Sequence, residues 1–272
     1  MPLTVDELKA KAVQVRRDSI EMITAAGSGH PGGSLSETDL LVALWFRVLR
    51  HDSKNPQWAA RDRFILSKGH GCPALYSCMA HAGYFDVSIL PTLRKLGSPL
   101  QGHPDRRFIP ALEASTGSLG NGLSIGIGIS HALKLDKTDA RVWVMVGDGE
   151  CQEGQVWEAA MYAGAHGLDN LTLIVDYNKK QLDDMVKHIL PMDPLGGKFA
   201  AMNWNVMEID GHNMHLVVEA LEESRKVKGR PTCIVAHTIT GKGVSFMEND
   251  PKWHGVAPTK EECAKALAEI GA

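Results

Sequence analysis

The sequence predicts an α/β fold, doubly wound, with a mainly parallel sheet flanked by helices, and three observations carry that expectation. Short apolar runs rich in β-branched residues, Arg141–Val146, Leu171–Asp176 and Cys233–Ala236, read as buried strands. A stretch of helical periodicity separates each run from the next, which spells strand, helix, strand and makes the strands parallel. Glycine or polar residues follow at once, as in Gly147-Asp148-Gly149 and Tyr177-Asn178, so chemistry-bearing side chains emerge at the carboxyl ends of strands.

From the amino end, Thr4 and Glu7 form a capping box for an amphipathic helix from Val5 to about Ala26, which Gly27 stops. A second helical run is expected from Ser36 to Leu49. The segment His51–Asp62 then leads into the strand-like Phe64-Ile65-Leu66, with His70 just past the strand end. Gly97–Gly117 reads as a long ordered loop, a length that is usually functional. After it Gly122, Gly126 and Ser130 recur every four residues and give one smooth helix face, for close packing or for ligand approach. The strand Arg141–Val146 precedes a helix from about Glu153 to His166, and the strand Leu171–Asp176 follows it. A helix over Met214–Val227, the strand Cys233–Ala236 and a final helix capped by Thr259 and Glu262 complete the order. Met145, Trp157 and Met161 fall at strand or helix spacing and read as core. Without internal repeat, linker or low-complexity tract, residues 1–272 read as a single domain.

A chain of 272 residues with 44% hydrophobic residues buries a sizeable core. Its 29 Lys and Arg are interspersed with 32 Asp and Glu for a net charge of −3, which gives no footprint for nucleic acid or an anionic membrane. A small anionic ligand must therefore be held locally. Five cysteines without a Cys-x-x-Cys pair argue against a disulfide framework or a zinc site and read as reduced thiols. No basic-then-apolar leader opens the chain, and no apolar run approaches the roughly 18 residues that span a bilayer. A soluble, cytoplasmic protein is expected.

Gly147-Asp148-Gly149 is by itself a tight turn. What changes its meaning is Asn178, thirty positions after Asp148 and across one strand–helix–strand unit. One carboxylate plus one amide oxygen is too few for a closed protein cage. It suits Mg²⁺, which completes an octahedral oxygen shell with phosphates, and the flanking glycines let backbone approach a diphosphate. Gly27-Ser-Gly-His-Pro-Gly32 satisfies a dinucleotide-binding pattern, yet it follows a helix rather than a strand, so that reading is rejected. Gly241-Lys242 is no phosphate loop, because Ala236 stands where the upstream glycine belongs.

With these residues in hand the chain resembles the thiamine-diphosphate enzymes, whose signature is Gly-Asp-Gly followed some thirty residues later by Asn. Six stretches in family order narrow the resemblance to transketolases and cover nearly the whole chain. They are Ser28-Gly29-His30-Pro31-Gly32-Gly33, Leu66-Ser67-Lys68-Gly69-His70, Gly102-His103-Pro104, Thr116-Gly117-Ser118-Leu119-Gly120, Gly147-Asp148-Gly149-Glu150-Cys151-Gln152-Glu153-Gly154 and Trp253-His254-Gly255. The resemblance implies the diphosphate-type thiamine-diphosphate-binding fold, with thiamine diphosphate and Mg²⁺ as cofactors and Ca²⁺ or Mn²⁺ as substitutes.

It further implies that Asp148, Asn178 and the carbonyl of Lys180 hold the metal. By the same comparison His70, Gly117, Ser118, Leu119, Gly147, Asp148, Gly149, Glu150, Asn178 and His254 lie along the cofactor. His30, His70, His103 and His254 would face cofactor and sugar as catalytic residues. A lone histidine is usually structural, but each of these four sits beside a glycine in a predicted loop or strand end. Glu153 and Glu158 begin a helix, where carboxylates serve as caps. The resemblance instead puts them in a network linking two cofactor sites across an interface. The sequence departs from the family at Asp183-Asp184, where a glycine often follows the aspartate, and at Lys179-Lys180, where an apolar second residue is common. Coordination through a backbone carbonyl tolerates the latter.

A complete transketolase continues into a pyrimidine-binding domain and a C-terminal domain, and the former supplies a glutamate that activates the cofactor. Neither domain is present in 1–272. The resemblance therefore implies a two-chain enzyme whose partner is a C-terminal transketolase subunit, with two copies of each chain. The expected reaction transfers a two-carbon ketol unit from a ketose phosphate to an aldose acceptor. One alternative is a 1-deoxyxylulose-5-phosphate-synthase-like enzyme, which chain length and Gly29-His30-Pro31-Gly32 disfavour. The other, a non-catalytic cofactor-holding paralogue, is disfavoured by intact Asp148, Asn178 and the four histidines.

Overall fold

The computed structural model describes residues 2–271. Helix α1, Val5–Ala26, starts where the Thr4 hydroxyl accepts from the Glu7 N–H at 3.3 Å while the Thr4 N–H donates to the Glu7 carboxylate at 2.7 Å. A cap of this kind contributes about 1 kcal/mol. Gly27, at φ 64°, ends the helix in the left-handed conformation that glycine adopts freely.

The single helix expected over Ser36–Leu49 is instead three pieces, and it begins earlier. Helix α2 spans Pro31–Ser36, α3 spans Thr38–Ala43, and a π-helical turn follows over Leu44–Val48. Pro31 serves as a helix start because its missing N–H has no partner to lose. The hydroxyls of Ser34 and Thr38 donate back to the carbonyls of His30 and Ser34, competing with the backbone and bending the run at Glu37.

Strand β1 (Arg63–Leu66) leads through a tight turn at Gly69–Gly71 into helix α4 (Cys72–His81), which the sequence pattern does not announce. Then come α5 (Asn121–Leu135), β2 (Val142–Gly147), α6 (Gly154–Ala165) and β3 (Leu171–Tyr177). The remainder is α7 (Val186–Ile189), α8 (Leu195–Ala201), β4 (Asn205–Asp210), α9 (Met214–Ser224), β5 (Thr232–His237) and α10 (Lys260–Glu269).

The sheet order is β1-β2-β3-β5-β4 and every pairing is parallel. Alternate side chains sort to its two faces. Phe64, Leu66, Trp143, Met145, Ile174 and Ile234 pack with α1, α3, α4 and α9 on one face. Ile65, Val144, Val146, Leu173, Val175 and Val235 pack with α5, α6 and α8 on the other. Fully burying one such aliphatic side chain is worth roughly 1.5–3 kcal/mol, so the period-two pattern sets strand register. Strand β4 escapes the sequence pattern because it is an edge strand of polar, half-exposed character, Asn-Val-Met-Glu-Ile-Asp, with Glu208 and Asp210 facing outward.

The small-residue face of α5 serves packing. A Cβ at Gly122 would lie 2.4 Å from the side chain of Ser67, and one at Gly126 would lie 2.5 Å from Val144. Met145 is fully buried as expected, and Trp157 is half-buried against Phe199, whereas Met161 is 53% exposed and is no core residue. Its turn of α6 faces outward beside exposed Tyr162. All five cysteines are free and buried, and no helix among the described residues is long and apolar enough to cross a membrane.

Helix α6 touches the chain after α8 so closely that a Cβ at Gly164 would sit 1.8 Å from the Met202 carbonyl oxygen. Gly164→Ala is therefore expected to lower the stability measured by urea unfolding by about 1–3 kcal/mol or more. Gly128→Ala, in an open helical position of α5, is expected to raise it by up to about 1 kcal/mol.

Candidate active site

Asp148 and Asn178 leave the carboxyl ends of the adjacent strands β2 and β3, whose pairing reaches Gly147 opposite Asp176. Asp148 is 1% exposed and accepts the N–H groups of Gly149 at 3.0 Å and Lys179 at 2.8 Å. Burial, with the Asp176 carboxylate nearby, pushes its pKa up to about 7. A buried carboxyl under that penalty is what a bound cation relieves. Asn178 donates its amide N–H groups to Ser36 and to Asp176, both at 3.2 Å, which turns its oxygen the other way as the acceptor end, where it accepts the Lys180 N–H at 3.0 Å. Among the described residues no group of three or more His, Cys, Asp or Glu side chains is arranged to hold a metal. The donor set is one carboxylate oxygen, one amide oxygen and the backbone at Lys180, which fits a hard cation that takes its remaining oxygens from a diphosphate.

The residue that aims Asn178 is Asp176, to which the sequence motifs assign no role. Its carboxylate accepts from Ser36 at 2.6 Å, Lys68 at 2.6 Å, the Asn178 amide and the Thr238 hydroxyl. Lys68, 1% exposed, also contacts Glu37 at 2.8 Å, and these two carboxylates hold its ammonium well above the usual lysine range. Glu37 is completely buried, and that burial pushes its carboxyl up to about 8 against the opposing pull of Lys68.

Four loops bring four histidines together. His30 precedes α2, His70 lies in the turn after β1, His103 lies in the long loop before α5, and His254 lies in the short turn Pro251–His254. Ring centroids of His30 lie 5.1 Å from His70, 5.7 Å from His254 and 6.3 Å from His103, and His70 and His254 are 5.2 Å apart. Desolvation is the main force lowering all four pKa values, to about 4 for His30 and well below the usual range for His70. At neutral pH they are uncharged rings that donate and accept. Gly117, at φ 123°, lies flat against His103, since a Cβ there would sit 2.8 Å from the imidazole.

These histidines, Asp148 and Asn178 line one cleft of about 360 Å³. Gly117, Leu119, Gly147, Gly149, Glu150, Glu153 and Lys180 border it too. Ser118 does not; its hydroxyl accepts from the Asn121 side chain at 2.8 Å at the start of α5. Glu150 acts as a fastener: its buried carboxylate accepts from the Ser67 hydroxyl, from Gly120 N–H at 2.8 Å and from Gly147 N–H at 3.1 Å. Glu153 occupies the N-cap position of α6 but makes no capping hydrogen bond with its side chain. Glu158 is exposed on the same outward strip as Met161 and Tyr162, away from the cleft lining.

A cleft at the carboxyl edge of a doubly wound parallel sheet is the place where open α/β sheets bind their ligands. The family model "Transketolase, thiamine diphosphate binding domain" matches residues 7–272. A 6-deoxy-6-sulfo-D-fructose transketolase subunit of Clostridium sp. (strain MSTE9) is 43% identical over 264 residues, covering 97% of this chain and 96% of its own. One subunit of the apulose-4-phosphate transketolase of Actinobacillus succinogenes is 40% identical over 98% of this chain and 97% of its own. The crystal structure of transketolase from Campylobacter jejuni superposes with a TM-score of 0.93 at 33% identity, over 99% of this chain and 43% of that one. The chain belongs to the transketolase family.

Glu37 gives a direct test of the buried charge cluster. Its folded pKa is raised above the unfolded value, so its contribution to stability is complete below about pH 4.5 and is lost as pH rises through about 8. Glu37→Gln is expected to flatten the decline in thermal midpoint across that window and leave the acid end of the profile unchanged.

Proposed function

We propose that this chain is the cofactor-gripping subunit of a two-chain transketolase that moves a two-carbon ketol unit from a ketose phosphate to an aldose acceptor. The observation that carries the reading is the convergence of Asp148, Asn178 and four uncharged histidines on one cleft. Asp148, Asn178 and the Lys180 carbonyl hold Mg²⁺, for which Ca²⁺ or Mn²⁺ can stand in. Gly147 and Gly149 allow backbone to approach the diphosphate. Thiamine diphosphate, when bound, supplies the electron sink for breaking and forming the carbon–carbon bond.

The chain's own groups bind, orient and move protons. His30, His70, His103 and His254, uncharged at neutral pH, donate to substrate oxygens and take protons back, a role worth roughly 10²–10⁴ in rate. Residues 1–272 act as one domain, with the pyrimidine-binding and C-terminal domains on a partner chain that completes the site. Support comes from the relatives named as transketolase subunits, which match this chain over nearly their whole length. The human transketolase, by contrast, is matched over 42% of its length. Self-association into a tetramer of two copies of each chain would use the outward strip of α6, with Glu158 beside Met161 and Tyr162, and Glu153 at the cleft rim. Five buried free cysteines suit a cytoplasmic enzyme. Pentose phosphates are the default sugars, and the sulfofructose and apulose phosphate named for the relatives are the specific alternatives.

Ketol transfer is to be measured with thiamine diphosphate and Mg²⁺, by the chain alone and with its partner chain, from xylulose 5-phosphate, 6-deoxy-6-sulfofructose and apulose 4-phosphate as donors. Turnover only in the mixture is expected; equal turnover by the chain alone would overturn the two-chain reading. Asp148→Ala is expected to abolish Mg²⁺-dependent cofactor binding in titration calorimetry of the assembled enzyme, and unchanged affinity would remove the metal assignment.

A further inference from the structure

We propose that Arg94 is a positioning residue that fixes His30 in the tautomer carrying its proton on Nε2 and locks that ring to the loop bearing His103. Arg94 follows the short turn that ends at Thr92, and its backbone is left-handed at φ 59°. For a residue with a side chain that geometry is strained and persists only when the surroundings impose it. Here the Arg94 N–H donates to the Leu100 carbonyl at 2.8 Å, and the guanidinium reaches three further points. Nη1 donates to the Ser28 hydroxyl at 2.8 Å, and Nη2 donates to the Gly102 carbonyl at 3.3 Å and to Nδ1 of His30 at 3.4 Å.

A guanidinium has donors and no acceptor. The His30 Nδ1 that receives its N–H must therefore present a lone pair, and the neutral ring carries its hydrogen on Nε2. That leaves an Nε2–H donor on the edge not taken by Arg94. The second anchor depends on Gly102, where a Cβ would lie 2.9 Å from Arg94 Nε and 3.0 Å from its Cζ. Only glycine lets the plane of the guanidinium lie against the backbone next to His103. One side chain thus holds the loop before His30, the ring of His30 and the loop of His103.

The charge acts in the same sense as the hydrogen bond. Arg94 makes no ion pair among the described residues. The titratable groups acting on His30 are Arg94, Lys68, His103 and His254, and each disfavours a charged His30. His30 is thereby kept as a donor at Nε2 through the working pH range, ready for a sugar oxygen. This use rests on the ketol-transfer reading; the tautomer itself does not.

The test labels the histidines of the chain with ¹⁵N and reads the His30 ring by long-range proton–nitrogen NMR, using His30→Gln for assignment. An Nε2–H ring is expected in the parent, and Arg94→Ala is expected to give a mixture of tautomers. In the assembled enzyme Arg94→Ala is expected to lower kcat/KM by about 10- to 100-fold. The acid limb of its pH profile should move to higher pH, because a cation opposing protonation of His30 is gone. Cofactor affinity by calorimetry should stay within about twofold. Arg94→Lys, which keeps the charge without the planar fork, is expected to scramble the tautomer yet hold the acid limb in place; it carries the test if the alanine variant does not fold. An Nδ1–H ring in the parent, or an unchanged tautomer in both variants, would overturn the proposal, as would a fall in cofactor affinity matching the fall in kcat/KM.

Discussion

The Lys68 ammonium lies between the carboxyl groups of Asp176 and Glu37 with almost no exposure to water, and this contact relates the end of β1 to the end of β3 and to the bend between α2 and α3. A charge so placed is costly to desolvate and is tolerated only when its partners and hydrogen bonds are complete. On the Asp176 side this is met by Lys68, Ser36, Thr238 and Asn178, whereas among the described residues the Glu37 oxygens face the Lys68 ammonium alone. Asn178 therefore cannot turn its amide over without breaking a buried network. The orientation of the Asn178 amide oxygen, the metal ligand of the proposal, is inherited from the buried Lys68–Asp176 ion pair.

The same logic recurs on the neighbouring loops. Glu150 stands in the middle of the most recognisable motif of the chain, yet its carboxylate spends both oxygens on Ser67, Gly120 and Gly147. It holds the β1 loop, the start of α5 and the end of β2 in one relation. Glycine-rich approach to a phosphate needs backbone held still, because each exposed N–H must be aimed before the ligand arrives. Two buried acids, Asp176 and Glu150, supply that stillness on either side of Asp148.

Much of this is legible in the sequence where chemistry and local pattern agree. The strands β1, β2, β3 and β5 are continuous apolar runs, and the turn residues after β2 and β3 carry Asp148 and Asn178 into the right place. Elements escape notice where local pattern misleads. Strand β4 is too polar to read as a strand because one side of it is solvated, and the run Ser36–Leu49, which looks like one helix, starts earlier and breaks at Glu37 and Leu44. Met161 sits at core spacing on α6 and still faces outward, since periodicity gives a face and not what covers it. The roles of Lys68, Asp176 and Arg94 are hidden for another reason. Each acts through residues far along the chain, Lys68 through Asp176 and Arg94 through Ser28 and His30, and no spacing rule reaches that far.

The polar character that conceals β4 has a consequence for how such a chain assembles. An edge strand offers a row of unpaired backbone groups to any other strand, and charged outward-facing residues make that pairing unfavourable. Glu208 and Asp210 occupy that edge, with half or more of the Glu208 side chain in water beside His237. Joining two sheets edge to edge would desolvate these carboxylates without offering them a cation, so growth of the sheet from chain to chain is suppressed. Strand addition is thereby disfavoured at the β4 margin of the sheet.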